Sequence, residues 1–308
     1  MHAIREALTR LSSSHIAMGF AFAIGSAALF AIRPIFVKLV YAEGVEPVTL
    51  IGLRMLFSAP IYAVLLWLFI RRGRNKVRVT LPLVAQISGI GLFGYFLASY
   101  FDLIGLQYVS AQLGRMILYT YPTFVVILSA LFMGQAITLR TAAALLVTYL
   151  GISVIFGHDL KEFGPDVSVG ALWIIASGLS FSIYLILSKP LITKVGSQVF
   201  TCIALISASF GIFIYWAVTR PAIEMALAVN DTALALILII AIFCTVIPTF
   251  FTTAAVERIG AGRTGIVAMI GPGFTSVFAV LILQEAFTVY HLLGIVVTIV
   301  GVSLLPRN

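Results

Sequence analysis

Residues 111–153 read AQLGRMILYTYPTFVVILSALFMGQAITLRTAAALLVTYLGIS, and residues 261–303 read AGRTGIVAMIGPGFTSVFAVLILQEAFTVYHLLGIVVTIVGVS. The two stretches align without a gap at an offset of 150 residues in a chain of 308. The identical positions are Ala111/Ala261, Pro122/Pro272, Phe124/Phe274, Leu131/Leu281, Ala136/Ala286, Thr138/Thr288, Val147/Val297, Thr148/Thr298, Gly151/Gly301 and Ser153/Ser303. Shared apolar composition would not place a proline, a threonine and a glycine in one gapless register. We therefore expect the two halves to fold alike, and halves that cross a membrane an odd number of times are inverted copies, as in many transporters.

The composition is typical of a protein that crosses a membrane many times. Apolar residues make up 61% of the chain and charged residues 10%, with a mean hydropathy of +1.14. A soluble domain is about 45–50% apolar and about 25% charged. Cys202 and Cys244 both lie in apolar stretches and predict neither a disulfide framework nor a zinc site. We expect no metal and no cofactor.

The net charge of +8 does not predict nucleic-acid binding. Its densest part, the run Arg71–Arg78, lies between two apolar spans, where the positive-inside rule explains it as a cytoplasmic loop. Residues 1–14 place apolar side chains at helical spacing beside two arginines and predict a short interfacial helix.

Spanning segments follow from the need for about 20 mainly apolar residues per membrane-crossing helix. Ten segments qualify: 16–40, 48–70, 82–104, 109–133, 139–157, 169–189, 198–218, 233–256, 263–284 and 288–305. They predict an all-α integral membrane protein with ten transmembrane helices as two inverted five-helix repeats. The expected divisions are a cytoplasmic segment 1–15, a first repeat 16–157, an extracytoplasmic connector 158–168 and a second repeat 169–308.

The orientation follows from the distribution of lysine and arginine. If the N-terminus is cytoplasmic, thirteen of these residues lie at the inner side, and only Lys38, Lys161 and Arg220 lie at the outer side. Both termini are then cytoplasmic, and five spans per half turn the second half upside-down. We expect a bacterial-type inner (plasma) membrane.

The chain resembles the EamA-type ten-helix proteins of the drug/metabolite transporter superfamily over residues 16–305. The resemblance rests on the five-plus-five layout together with Gly25-Ser26, Arg54, Tyr121-Pro122-Thr123 followed by Met133–Thr138, and Gly271-Pro272-Gly273 followed by Leu283–Thr288. The family usually has a glutamate after the fourth span of each half; Glu285 keeps it and Gln135 departs from it. The resemblance implies an inner-membrane carrier of small metabolites, often an exporter, with a central cavity between the halves.

Three arginines inside the spans require partners or a role, because ionisable groups are costly in a bilayer. Arg33, Arg54 and Arg115 each lie about seven residues, roughly 10 Å, from the outer end of their spans. Asp102 is the nearby acid, and one carboxylate cannot pair with three guanidiniums. Arg54 is interpreted as a brace. Arg115 either pairs with Asp102 or contacts an anionic solute, and Arg33 either extends towards the outer interface or contacts the solute.

Polar side chains also recur along single faces of five spans, which predicts a shared cavity, although hydrogen bonds between helices are the alternative. The candidate cavity residues, including the arginines above, are Ser26, Phe30, Arg33, Tyr95, Ser99, Asp102, Arg115, Tyr119, Ser177, Ser180, Tyr184, Thr245, Thr249, Thr252 and Met269.

Equivalent prolines interrupt the fourth and ninth spans and predict gates near the binding region. Proline removes a backbone hydrogen bond, and paired helix breaks in repeats mark binding sites. The candidate gating residues are Pro122, Gly271, Pro272 and Gly273.

These features predict a secondary-active transporter that exports small organic metabolites, most simply amino acids or related carboxylate-bearing solutes, by alternating access. No GxxxxGK[ST] loop is present to bind nucleotide phosphates. An enzyme is not expected, because the four histidines are scattered and form no HExxH motif. A broad-specificity drug or cation efflux carrier and an anion channel are the alternatives. The expected partners are a small-molecule substrate and the lipid bilayer, without nucleic acid; the oligomeric state is open, with a homodimer among the options.

Overall fold

The computed structural model describes residues 2–72, 79–134, 136–218 and 227–304, together with residue 224. Within them every regular element is a helix. Nine helices are long and apolar enough to cross a membrane, and a tenth, shorter apolar helix follows them. In chain order they are α1 His15–Ala42, α2 Pro47–Arg71, α3 Leu81–Gly105, α4 Ala111–Phe132, α5 Leu139–Phe163, α6 Asp166–Val195, α7 Ser197–Trp216, α8 Asp231–Gly260, α9 Arg263–Leu283 and α10 Val289–Ser303. This confirms the predicted all-α membrane fold.

Two expected boundaries differ from the structure. The helix that leads into α1 begins at His2, so the expected interfacial segment continues directly into the first span. The polar stretch that was expected to connect the halves is mostly helical, because α5 continues to Phe163 and only Gly164 and Pro165 separate it from α6. Gly164 ends α5 with a φ of 87°, a conformation that glycine adopts without steric cost. Of the basic run, residues 73–78 lie outside the described residues.

The helix interruptions follow the sequence repeat. A π-helical segment begins at Leu92 in α3 and at Ile242 in α8, 150 residues later. The second part of α4 begins at Tyr121 and that of α9 at Gly271, again 150 residues apart. Each of these segments contains a proline near its start and is followed by a residue with left-handed backbone, Gly134 in the first half and Gln284 in the second. The two halves therefore share their breaks as well as their residues.

The helices α5 and α10 show how the halves are related. Gly151 lies against Thr298, and Gly301 lies against Thr148, so equivalent residues exchange places across the contact. This reciprocal pattern is that of a two-fold axis. Because the residue numbers rise on one helix as they fall on the other, α5 and α10 are antiparallel. The missing glycine side chains allow the close approach that small residues give in membrane bundles.

The same exchange relates the outer helices. α1 packs on α8 and α9, while α6 packs on α3 and α4. Ser26 of α1 donates to the carbonyl of Pro248 at 2.9 Å, and Ser177 of α6 donates to the carbonyl of Ala98 at 2.7 Å. The two accepting residues are 150 positions apart. The structure therefore confirms two five-helix repeats of opposite direction.

The glycine contact between α5 and α10 can be tested by comparing two alanine substitutions in one helix. A methyl group at Gly151 meets Thr298, whereas a methyl group at Gly157 meets open space. We expect G151A to destabilise the protein by about 1–3 kcal/mol through overpacking. G157A should leave stability unchanged or raise it, because alanine is favoured over glycine in a helix by about 1 kcal/mol. Thermal melting in detergent measures both, and equal melting temperatures would contradict the packing.

Candidate functional site

The equivalent breaks of α4 and α9 contact each other across the two halves. Pro272 has no N–H group, so the carbonyl of Ala268 loses the partner that a continuous helix would give it. The hydroxyl of Tyr119, at the break of α4, donates to this carbonyl at 2.7 Å. Gly271 lies beside the same hydroxyl, in a space that a side chain would fill. The sequence-predicted breaks at Pro122 and Pro272 thus lie in elements that contact one another.

An ion pair lies at the same level of the bundle. Arg33, which follows the interruption of α1 at Ile32, pairs with Asp102 of α3. Asp102 is buried, so its charge needs this partner. The sequence offered Arg115 as a partner of Asp102, whereas the structure pairs this carboxylate with Arg33.

Arg115 remains as a cation without an acidic partner in the described part of the chain. It lies in a small recess between α1, α3 and α4, and its guanidinium carbon is 5.7 Å from the ring centre of Tyr119. Its Nε atom is buried without a hydrogen-bond partner. The recess is lined by Arg33, Pro34, Asp102, Leu106, Gly114, Arg115 and Leu118. A guanidinium can bind a carboxylate through two parallel hydrogen bonds, but in this state the recess, at about 10 Å³, has room for only about one water molecule.

Arg54 lies behind the recess in α2. Its side chain is fully buried, and its Nε atom has no hydrogen-bond partner. It is close enough to Arg33 and Asp102 to interact with both charges. Tyr41 lies nearby and donates to the carbonyl of Leu103 at 2.7 Å. The three arginines are therefore neighbours, with two at the recess and one enclosed.

The polar side chains of α6 are used mainly to join it to α3. Ser180 donates to the carbonyl of Phe93 at 2.8 Å, as Ser177 does to that of Ala98. Both acceptors lie in or directly after the π-helical segment of α3. Tyr184 donates to the hydroxyl of Tyr95 at 3.0 Å. These four predicted cavity residues lie together, at a helix contact rather than in the recess.

The threonines of α8 form a second seam, against α1. Thr252 lies 2.6 Å from the hydroxyl of Ser26. Thr249 and Thr245 donate to carbonyls one turn back in their own helix, those of Thr245 and Ile240. Phe30 and Ser99 are half-buried in α1 and α3, and Met269 is half-buried at the break of α9. Of the predicted cavity residues, the structure thus places Arg33, Asp102 and Arg115 at the recess, and it places Ser26 and Thr252 at the contact of α1 with α8.

Glu285 also has a role that the sequence did not indicate. Its carboxylate accepts the backbone N–H of Ala111 at 2.8 Å and the side-chain amide of Gln112 at 3.3 Å. Ala111 begins α4, and a carboxylate is favoured at a helix N-terminus. Gln135, the equivalent residue of the first half, lies outside the described residues.

Sequence analysis also missed a buried polar cluster. His158 and His291, which are far apart in the chain, both approach Asp159, and Ser110 donates to this carboxylate at 2.7 Å. The antiparallel pairing of α5 with α10 brings them together. The repeat could have revealed this, since pairing the two helices in opposite directions through Gly151 and Thr298 places residue 158 beside residue 291.

Comparison with known proteins shows the family. The model of the EamA-like transporter family matches twice, at residues 17–157 and 168–306. The uncharacterized transporter YcbK of Bacillus subtilis is 26% identical over 283 residues, covering 90% of this chain and 89% of its own length. An uncharacterized transporter of Archaeoglobus fulgidus is 24% identical over 271 residues, covering 88% of this chain and 91% of its own.

A solved crystal structure shares the fold. It superimposes with a TM-score of 0.62 at 19% identity and covers 95% of this chain and 96% of its own. The paired family matches agree with the repeated, oppositely directed helices described above. The chain therefore belongs to the EamA-like transporter family and is a multi-pass membrane transporter, not an enzyme.

Proposed function

We propose that the protein is a secondary-active carrier that exports small organic solutes bearing a carboxylate, such as amino acids, by alternating access. The observation that carries this proposal is the position of Arg115. It is a cation without an acidic partner among the described residues, and it lies where the broken helices α4 and α9 meet.

The charge balance of the recess favours an anionic group. Asp102 is already neutralised by Arg33, and Arg54 adds a further enclosed positive charge nearby. A solute carboxylate would supply the missing negative charge and accept hydrogen bonds from Arg115. The ring of Tyr119 gives the rest of an organic solute a flat apolar surface.

The two alternatives have less support. A cation efflux carrier requires an accessible carboxylate in the membrane, and Asp102 is buried in its pair with Arg33. An anion channel requires like groups arranged around an open pore. Here the broken helices of the two halves are instead joined by the hydrogen bond from Tyr119 to Ala268.

The proposed movement is a rocking of one half against the other. The close contact of Gly151 and Gly301 with the facing helix holds α5 and α10 together as a fixed pair. The breaks at Pro122 and Pro272 provide the movable segments. In this cycle the bond between Tyr119 and Ala268 forms in one state and breaks in the other. Without a nucleotide-binding loop, an ion gradient or solute exchange supplies the energy.

Removal of the guanidinium tests the substrate class. We expect Arg115→Ala to abolish counterflow of labelled carboxylate solutes in proteoliposomes while the yield of folded protein stays near normal. Arg140→Ala is the matched control, because Arg140 is exposed at the start of α5. Normal transport of every carboxylate solute by R115A would refute the proposal. If R115A kept the transport of carboxylate solutes and lost that of cationic drugs, the result would support the efflux carrier.

Removal of the Tyr119 hydroxyl tests the proposed gate. Tyr119→Phe removes the donor to the Ala268 carbonyl, a hydrogen bond worth about 0.5–1.5 kcal/mol, in this state only. We expect faster labelling of a cysteine at Gly273, which borders open space, by a membrane-impermeant thiol reagent. Tyr108→Phe is the control, since Tyr108 is 41% exposed. An unchanged labelling rate in Y119F would show that this bond does not hold the gate.

The proposed orientation is tested by labelling two exposed positions, Arg72 directly after α2 and Lys161 in the last turn of α5. In a variant lacking Cys202 and Cys244, which are buried, we introduce Arg72→Cys or Lys161→Cys. We expect an impermeant maleimide to label position 161 on intact cells and position 72 only in inverted vesicles. Labelling of both from one side would overturn the inverted topology, and labelling with the sides reversed would place the termini outside.

A further inference from the structure

A cluster of three metal-ligand side chains lies away from the recess, between α5 and α10. The Oδ1 atom of Asp159 is 3.3 Å from Nδ1 of His158 and 3.5 Å from Nε2 of His291. The three atoms all lie within 4.8 Å of one another. Two imidazoles and a carboxylate are the ligand types that Zn²⁺ takes from proteins.

The contacts from Asp159 to the two histidines are long hydrogen bonds, and their spacing would also admit a metal ion. Zinc bonds to nitrogen and oxygen of about 2.0–2.2 Å, in tetrahedral arrangement, place neighbouring ligand atoms about 3.3–3.5 Å apart. A charge-assisted N–H···O⁻ bond is shorter, at about 2.7–2.9 Å. Both distances from Asp159 fall in the range of a tetrahedral edge, and the two ring nitrogens lie within 4.8 Å of each other.

The burial of Asp159 also calls for a cation. The side chain is fully buried, and its only ion-pair partners among the described residues are the two histidines. A buried carboxylate is costly without a compensating charge. His158 is 18% exposed and provides the approach from the surface. A divalent ion bound here would neutralise the carboxylate.

Outer contacts orient two of the three ligands. Ser110 occupies the other carboxylate oxygen of Asp159 at 2.7 Å. The Nδ1 atom of His291 lies 2.9 Å from the hydroxyl of Thr288. The backbone N–H of Thr288 donates to the same Nδ1 atom at 3.3 Å, so Nε2 carries the ring proton and faces Asp159. Zinc binding would require the other tautomer, in which Nδ1 donates to the Thr288 hydroxyl and Nε2 is free to bind the ion. Metal-binding histidines are commonly held in this way by a hydrogen bond from the other ring nitrogen.

The cluster is a departure from the repeat. In the first half Thr138 caps its helix through Thr141, which is the residue equivalent to His291. In the second half Thr288 makes the corresponding contact with an imidazole. The second half thus keeps the cap and adds a ligand that points across to α5.

We propose that His158, Asp159 and His291 form a Zn²⁺-binding site that fastens one end of the α5–α10 pair. Water or a further group completes the tetrahedron on the side of His158. The site is separate from the recess at Arg115 and does not depend on which solute is carried.

The test is a zinc titration of the full-length, tag-free protein after treatment with a chelator. We expect one Zn²⁺ per chain and a higher melting temperature in its presence, since an ion that binds only the folded state stabilises it. Bound Co²⁺ should give the intense visible absorption of four-coordination. His291→Ala should weaken zinc binding by more than the ~10–100-fold that loss of an outer partner causes. His15→Ala, which removes an exposed histidine in α1, should bind as the wild type does.

His291 also helps to cap α10, so a second variant guards against misfolding. His158→Gln changes the most exposed ligand and should also weaken zinc binding by more than tenfold, with an unchanged size-exclusion profile. Failure of the wild type to bind stoichiometric zinc would overturn the site. Equal affinity in the wild type and H158Q would do the same and leave the cluster as a hydrogen-bonded network.

Discussion

Every backbone carbonyl that a helix break frees inside a membrane needs a donor from the protein, because lipid offers none. This chain breaks its helices at prolines and π-helical segments and then supplies donors from the opposite half. Ser26 donates to Pro248, Ser177 to Ala98, and Tyr119 to Ala268. Thr275 of α9 likewise donates to the carbonyl of Ala31, next to the break of α1. The same bonds that satisfy the backbone therefore join the two repeats, and the proposed rocking of the halves would exchange them.

The repeat gives each half the same scaffold, and the departures from it carry the chemistry. Where the two copies agree, as at Thr148 and Gly151, they build the contact on the two-fold axis. Where they differ, one half adds a group that the other lacks. Arg115 corresponds to Gly265, and His291 corresponds to Thr141. The proposed solute site and the proposed zinc site both rest on such differences, which a symmetric frame can hold without changing its packing.

The sequence predicted the fold class, the ten spans, the family and the breaks at Pro122 and Pro272, because these depend on hydropathy, length and proline chemistry. The hydrogen-bond and ion-pair partners of individual side chains could not be predicted from the sequence. Ser177 and Ser180 lie on a polar face, but the π-helical segment of α3 creates the carbonyls that hold them. The partner of Asp102 depends on the interruption at Ile32, which sets the direction of Arg33. Sequence spacing along one span carries no information on such contacts between spans.

The enclosed positive charge links solute binding to movement in the proposed mechanism. Arg54 and Arg115 each bury an Nε atom without a partner, beside a single ion pair. Unpaired charge in a low dielectric raises the free energy of the state that encloses it. A carboxylate entering the recess would lower the free energy of that state and not of a state in which Arg115 faces water. A ligand shifts a conformational equilibrium only by such a difference in affinity. Arg115 would therefore select the solute. Binding of the solute would also drive the breaking and re-forming of the Tyr119–Ala268 hydrogen bond.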